Sequence, residues 1–406
     1  VNVRRHRSHG EPASSVGEQA CAKDRPSGGP VRINDKTPLK NKSHHHTSPA
    51  PGTTSEEQFG RFIGYWDTCA SIQPNNFKYK SLSNWSYNIA VGCGHACRFC
   101  YVPDASAIKL KPQLGRLGVT DPDVDWGRYV FLRPWDERRF LSSLRKAEST
   151  PRHELKPDGN RAVILCSTTD AYQVFPHPDP AERRRLSEHG DVLVRRALEL
   201  IRDQSTLNVR ILTRSPLAER DFELYRSFGN RLVFGMSLPT LQNRLAKIYE
   251  PNAPAPTLRL RTLRKAKEAG LHVYVAMAPT YPECDETDLA ATLVSVRELD
   301  PITVFHEPIN IRAENVRRIE DHARSLGVAM QTAVFETPET WTAYALDSLR
   351  TVERIAGDLG LSDRLHLWPD QSLGSRRVLK AASDPLSHQK WLDRWWYRIS
   401  EWPTSD

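Results

Sequence analysis

Cysteine is scarce in this chain: seven in 406 residues, at positions 21, 69, 93, 97, 100, 166 and 284. So few, so unevenly placed, exclude a disulfide framework and point to a reducing compartment, hence to a cytoplasmic protein. No uninterrupted apolar run approaches the roughly 18 residues of a membrane span, and the first residues lack a charged start followed by an apolar core. No membrane partner is expected. Charge of one sign is also lacking, because 57 Lys and Arg face 49 Asp and Glu. The surplus of +8 admits a polyanionic partner without marking a concentrated basic stripe. With 39% apolar and 26% charged residues the chain is slightly polar for a globular protein, so part of it is expected outside a packed core.

Residues 1–58 mix Pro, Gly, Ser, Lys and Arg with hardly any periodic apolar positions, the composition of a disordered tail. His44, His45 and His46 lie within it, and three adjacent histidines without fixed geometry make a poor native metal site. From 59 to 327, short β-branched runs alternate with amphipathic stretches, the pattern of strand-helix units around a mainly parallel sheet. Strands are predicted at 86–91, 162–167, 209–213, 232–237, 272–278 and 303–306. Crossover helices are predicted at 181–204, 256–269 and 286–299. The fold class is therefore α/β, a partial (βα)6 TIM-like barrel whose chemistry belongs at the C-terminal strand ends. Residues 328–406 read as a helical, Trp-rich extension with a long helix at 336–359. Trp391 and Trp395, four apart, are expected to pack on the barrel rather than to stack nucleobases.

The segment Cys93-Gly94-His95-Ala96-Cys97-Arg98-Phe99-Cys100-Tyr101 follows the first predicted strand with C-x3-C-x2-C spacing. Zinc, with His95 as fourth ligand, is one reading, but structural zinc sites usually join two separated ligand pairs and no second cysteine pair exists here. An iron-sulfur cluster suits an odd ligand count better. Three thiolates hold three irons of a four-iron cube and leave the fourth open to S-adenosylmethionine, whose sulfonium then lies beside a low-potential reductant.

At these residues the sequence resembles the radical SAM superfamily, whose motif is C-x3-C-x-aromatic-C, with Phe99 at the aromatic position. More narrowly it is similar to the branch of spore photoproduct lyase and the DNA repair photolyases. That likeness spans about half the chain and is carried by 92–101, 167–172, 211–214, 237–238, 250–260 and 276–282. The resemblance implies a [4Fe-4S] cluster on Cys93, Cys97 and Cys100, and reductive cleavage of S-adenosylmethionine to a 5'-deoxyadenosyl radical. It also implies an external electron donor such as flavodoxin or ferredoxin. It assigns Phe99, Ser167, Thr169, Asp170, Thr213, Arg214, Ser237 and Ala278 to cofactor binding: hydroxyls and Asp170 for methionyl or ribose groups, Arg214 for the carboxylate, Ser237 for ribose, and the backbone at Ala278 for adenine. Read alone, 167–170 is equally a helix cap and Arg214 a surface charge.

Tyr101 stands where the lyase keeps a tyrosine implicated in radical transfer, and Glu307, within 306–312 at the sixth strand end, is the candidate for substrate recognition. A Glu to Arg ion pair inside 306–312 is the plainer alternative. Ser167 occupies the position of the lyase's hydrogen-donor cysteine, and strand alternation is expected to turn Cys166 to the opposite face. The expected function is hydrogen abstraction from a substrate over the barrel mouth. Nucleic acid is favoured as that substrate, with a small metabolite or peptide second. A metal-stabilised nucleic-acid binding protein without turnover is the alternative of another class.

Overall fold

A computed structural model describes residues 62–105 and 107–404; the tail expected at 1–58, with Cys21 and the His triplet, lies outside the described residues. Strands follow in chain order: β1 (Phe62–Tyr65), β2 (Ile72–Pro74), β3 (Trp85–Tyr87), β4 (Ala90–Gly92), β5 (Tyr129–Leu132), β6 (Ala162–Leu165), β7 (Asn208–Thr213), β8 (Leu232–Ser237), β9 (His272–Thr280), β10 (Thr303–Pro308) and β11 (Leu365–Leu367). The helices that matter below are α1 (Glu137–Glu148), α2 (Pro180–Gln204), α3 (Asn243–Tyr249), α4 (Pro256–Glu268), α5 (Glu286–Arg297), α6 (Asn315–Ser325), α7 (Pro338–Asp358) and α8 (Pro385–Trp396).

One sheet of order β11-β10-β9-β8-β7-β6-β3-β2 is parallel from β3 to β11, with β2 antiparallel at its edge. It is the partial TIM-like barrel that the strand-helix alternation predicts, with α2, α4, α5 and α7 as crossovers. Each helix exists because it has a stripe to bury. In α2, Leu186, Leu193, Val194, Ala197, Leu198 and Ile201 recur at three-, four- and seven-residue spacing and are all buried. Asp179 caps its first turn by accepting from the Ala181 N–H at 2.9 Å, and Pro180 starts the helix where no N–H is needed. Each such leucine removed from water is worth about 1.5–3 kcal/mol.

Two features depart from the sequence reading. The strand expected at 86–91 is two strands. Asn88 interrupts it by turning its amide to the backbone of 167–168, and β4 leaves the barrel to pair antiparallel with β5 in a separate sheet of order β1-β5-β4. The C-terminal segment is helical in α7 and α8 as expected, yet it also adds β11 as a further parallel strand on β10.

The barrel interior is a small cluster of Leu82, Ile164, Val233, Tyr274, Ala276, Phe305 and Trp368. Gly235 on β8 is a glycine because a Cβ there would lie 2.4 Å from the Tyr274 ring. At the N-terminal end of the barrel Arg210 is wholly buried among the rings of Tyr274, Phe305 and Trp402, and donates to the Leu82 carbonyl at 2.8 Å. Of the two tryptophans expected to pack inwards, Trp395 is buried and Trp391 half-buried, and Trp396, not singled out by that spacing, is buried with its ring stacked on Tyr79 at 4.8 Å. No helix among the described residues is long and apolar enough to cross a membrane.

Candidate active site

The cysteine loop is set by backbone requirements at two points. Gly92 ends β4 at φ +90, where a Cβ would lie 2.1 Å from the Tyr129 carbonyl oxygen, so only glycine can turn the chain into the loop. Ala96 holds a left-handed φ of 55 between the first two cysteines. Around these turns the loop is clamped by side chains from three other segments and by one backbone carbonyl. Gly94 N–H donates to Gln173 Oε1 at 2.7 Å, Asn252 Nδ2 donates to the Gly94 carbonyl at 3.2 Å, and Arg98 N–H donates to the Tyr249 carbonyl at 2.8 Å. From α6, Arg318 donates to the Cys100 and Arg98 carbonyls at 2.7 and 3.1 Å, and Asn315 to that of Phe99 at 3.3 Å.

Asp170 is the hub behind the loop. Its carboxylate lies 3.1 Å from His95 Nε2 and accepts from Thr213 Oγ1 at 2.7 Å, Tyr172 N–H at 2.8 Å and Arg214 N–H at 2.9 Å. Burial alone would raise this acid, but His95 and the converging donors hold it well below the usual carboxylate range. Thr169 donates its hydroxyl to the Gly92 carbonyl at 2.7 Å and accepts from Gln173 Nε2 at 2.7 Å. Thr169, Asp170 and Thr213, assigned by resemblance to cofactor contacts, thus have their side chains engaged in holding the loop. His95, the fourth zinc ligand considered above, is engaged with Asp170.

Cys93, Cys97, Cys100, Phe99 and Tyr101 open on one cavity of about 560 Å³, which is also lined by Ser167, Thr169, Asp170, Arg214, Ser237, Ala278 and Glu307. Of the residues assigned by resemblance to the cluster, the cofactor or the substrate, Thr213 alone is not among those that line it. Burial pushes all three thiols up to about 12, with the Asp170 carboxylate adding to the effect at Cys93. Thiolates there need a strong positive partner, which iron provides.

Arg214 reaches the cavity with its Nε anchored to Glu250 at 2.7 Å, and Arg259 holds the other Glu250 oxygen. Burial works against ionised Glu250, but Arg259 and Arg214 bring it down to about 2. Asn88 fixes the rim by accepting from Ser167 N–H and Thr168 N–H, each at 2.9 Å, and Tyr101 donates to the Ser167 carbonyl at 2.6 Å. Asn88 and Gln173 escaped the sequence reading, and Glu250 and Arg259 were singled out there only as part of the 250–260 segment, without a role.

Cys166 was expected to face away and instead lines the cavity. Ile164 already points into the barrel interior, so the two-residue period puts Cys166 on that inner face, while Ser167 is kept at the rim by Asn88. At the mouth, Glu307 pairs with Lys80 at 2.5 Å and accepts from Asn310 Nδ2 at 2.7 Å, whereas Arg312 pairs with Asp370. The ion pair considered within 306–312 is therefore two pairs with outside partners. The Lys80 ammonium also lies 5.0 Å from the Trp368 ring, so the C-terminal segment supplies part of the mouth.

Comparison with known proteins agrees with this architecture. The family model of the radical SAM superfamily matches residues 87–296. An uncharacterised protein of Acidianus two-tailed virus is 33% identical over 264 residues, covering 61% of this chain and 77% of that protein. Another, from Methanocaldococcus jannaschii, is 25% identical over 228 residues, covering 56% and 70%. Among solved structures, a variant of spore photoproduct lyase matches with a TM-score of 0.54 at 13% identity, covering 80% of this chain and 88% of that one. The lyase complexed with dinucleoside spore photoproduct matches at 0.53 and 14% over the same shares. With a family model spanning more than half of it and the barrel and cysteine loop in place, this chain belongs to the radical SAM superfamily, enzymes whose cofactors are a [4Fe-4S] cluster and S-adenosylmethionine.

Proposed function

We propose that this enzyme abstracts hydrogen from a substrate held at the barrel mouth, using S-adenosylmethionine bound between that substrate and a cluster on Cys93, Cys97 and Cys100. The observation that carries the reading is that three cysteines, Cys93 and Cys97 buried and Cys100 half-buried, share one cavity with Arg214, Ser167, Ser237 and Ala278 at successive C-terminal strand ends. When bound, the cluster supplies the electron that cleaves the cofactor's C5'–S bond and frees a 5'-deoxyadenosyl radical. Arg214, tied by Nε to Glu250, keeps its terminal N–H groups for the methionyl carboxylate. Ser167 and Ser237 bind polar groups of the cofactor, the backbone at Ala278 faces adenine, and Phe99 and Tyr101 wall the site. Thr169, Asp170 and Thr213 act through the loop they hold.

The likeness to a lyase complexed with dinucleoside spore photoproduct supports a nucleic-acid substrate. The mouth supports a second reading, a small metabolite or a peptide, because Lys80 and Arg312, two of its cations, are neutralised by Glu307 and Asp370 and so offer less to a phosphate backbone. Anaerobic reconstitution with iron and sulfide, then S-adenosylmethionine and dithionite, is expected to give 5'-deoxyadenosine. Tight oligonucleotide binding with no 5'-deoxyadenosine at full iron content would instead establish a metal-stabilised binding protein. Deuterium from a labelled oligonucleotide appearing in 5'-deoxyadenosine decides for nucleic acid over the metabolite.

A further inference from the structure

Where β4 leaves the barrel at Asn88, a second cavity lies beside it, between residues 68–73, which run into the edge strand β2, and the turn from β5 into α1. It measures about 410 Å³ and is lined by Thr68, Ser71, Gln73, Asn88, Arg133 and Arg139, together with the half-buried thiol of Cys69. No carboxylate is among these residues, and two guanidiniums are. We propose that this cavity binds a phosphate group, free or carried on a larger molecule. The site stands apart from the radical chemistry and uses none of the cluster ligands.

The hydrogen bonds already made there leave donors over. Arg133 spends Nη1 on the Thr68 carbonyl and hydroxyl, at 3.3 and 3.0 Å, and among the described residues its Nε and Nη2 have no acceptor and it forms no ion pair. The hydroxyls of Thr68 and Ser71 are used as acceptors, the first by Arg133 and the second by Gln73 Nε2 at 2.8 Å, so each keeps a proton to donate. Arg139 is exposed; Asp136, which also caps α1, lies 3.5 Å from its Nε, and its Nη1 lies 3.9 Å from Cys69 Sγ. Its Nη2 remains. The Asn88 oxygen is taken by Ser167 N–H and Thr168 N–H, which leaves the amide oxygen of exposed Gln73 as the one unspent side-chain carbonyl of the lining.

Surplus N–H and O–H donors around two positive charges call for an acceptor-rich anion. Donors from four side chains outnumber the two oxygens of a carboxylate, whereas a phosphate offers three or four, and an arginine fork matches them in pairs. The volume is that of a small-ligand site, so part of a carrier fits beside the phosphate. Asn88 lines this cavity, and its side chain bonds Ser167 and Thr168, which line the active-site cavity. A molecule anchored here by its phosphate therefore lies against the active-site rim. At the mouth, by contrast, Lys80 and Arg312 carry their own carboxylates.

The experiment uses the reconstituted full-length chain with inorganic phosphate, thymidine 5'-monophosphate and thymidine as probes, and acetate and chloride at matched ionic strength as controls. Binding is measured by calorimetry, and its place by alkylation of Cys69 with iodoacetamide, read from the Cys69 peptide by mass spectrometry. Phosphate is expected to bind and to slow that alkylation several-fold, with acetate, chloride and thymidine doing neither. Arg133→Gln is expected to weaken binding about tenfold and Arg139→Gln, whose side chain is exposed, about threefold. Arg133 also fastens Thr68, so a loss of folding in Arg133→Gln leaves the test to Arg139→Gln, which is expected to keep the wild-type melting temperature and iron content. Tighter binding of the nucleotide than of inorganic phosphate assigns a carried phosphate, and equal or weaker binding a free one. The proposal is overturned if phosphate does not bind, if acetate or thymidine protects Cys69 as well as phosphate does, or if Arg139→Gln binds phosphate as wild type does. It is also overturned if phosphate binds while Cys69 stays as reactive as in chloride. Iron content and 5'-deoxyadenosine formation with dithionite report the cluster reading separately, so either reading can fail without the other.

Discussion

At the scale of single residues, Cys93, Cys97 and Cys100 differ from the other described cysteines in what surrounds them rather than in burial, since Cys166 and Cys284 are buried too. Only the three share a loop clamped from α3, α6 and the 167–173 segment. Replacing any one of them by Ala is expected to remove most iron and visible absorbance, while Cys166→Ala and Cys284→Ala retain both. A full four-iron content in Cys97→Ala would defeat the assignment. The ligands were legible in the sequence because chelating spacing is a local property. The groups that hold them were not: Gln173 and Asn252 act across dozens of residues of chain, Asp170 was singled out for a cofactor contact rather than for its hold on the loop, and no local pattern marks a long-range hydrogen bond. Cys166 shows a different difficulty. Its face depends on the register of β6, and Ser167, held to the rim by Asn88, breaks the alternation from which that face had been read.

At the scale of elements, helices were legible almost to their ends, since α2, α4, α5 and α7 each carry a long apolar stripe between caps. Several strands of three or four residues were not. β1, β5 and β11 are too short for a two-residue period to stand out, and β11 lies between helical segments. Yet β11 and the tail beyond α8 close the barrel. Ser400 accepts from Arg210 Nη2 at 3.3 Å, and Trp402 covers Arg210 while donating to the Asn230 carbonyl at 2.9 Å. A buried guanidinium without a carboxylate depends on such a cover. Trp402→Ala is therefore expected to cost about 2 kcal/mol in denaturant unfolding, less than a wholly buried Trp. Cofactor-dependent activity below the melting point should persist, because Trp402 lies at the end of the barrel opposite the cavity. An unchanged unfolding midpoint would show that the tail is not a seal.

At the scale of the whole molecule, the packing of the same partial barrel sets how the protein meets acid. His306 on β10, between the Met277 carbonyl and Ser348, and His366 on β11, beside the Phe305 ring, are both buried. Burial depresses each to about 3, and at His366 the positive charges of Arg398 and Arg210 add to it. Both stay neutral in the native state while the unfolded chain protonates them near 6.5. Above that pH neither state binds the proton and the pair contributes no slope. Below it the unfolded state holds about two more protons than the native one, so stability falls by about 2.7 kcal/mol per pH unit from these groups. Asp170 and Glu250 work in a lower window. Their folded values are depressed, so their contribution is whole above about 4 and is lost only as pH falls further. Against a total of about 5–15 kcal/mol, the histidines act first. Thermal unfolding is expected to be level from pH 8 to about 7 and to drop steeply between about 6 and 4.5. His306→Gln should lower that slope by about 1.4 kcal/mol per pH unit, whatever it does to stability at pH 8. A melting temperature that stays level down to pH 5 would mean that these histidines titrate as they do in the unfolded chain, and that the barrel does not exclude the proton.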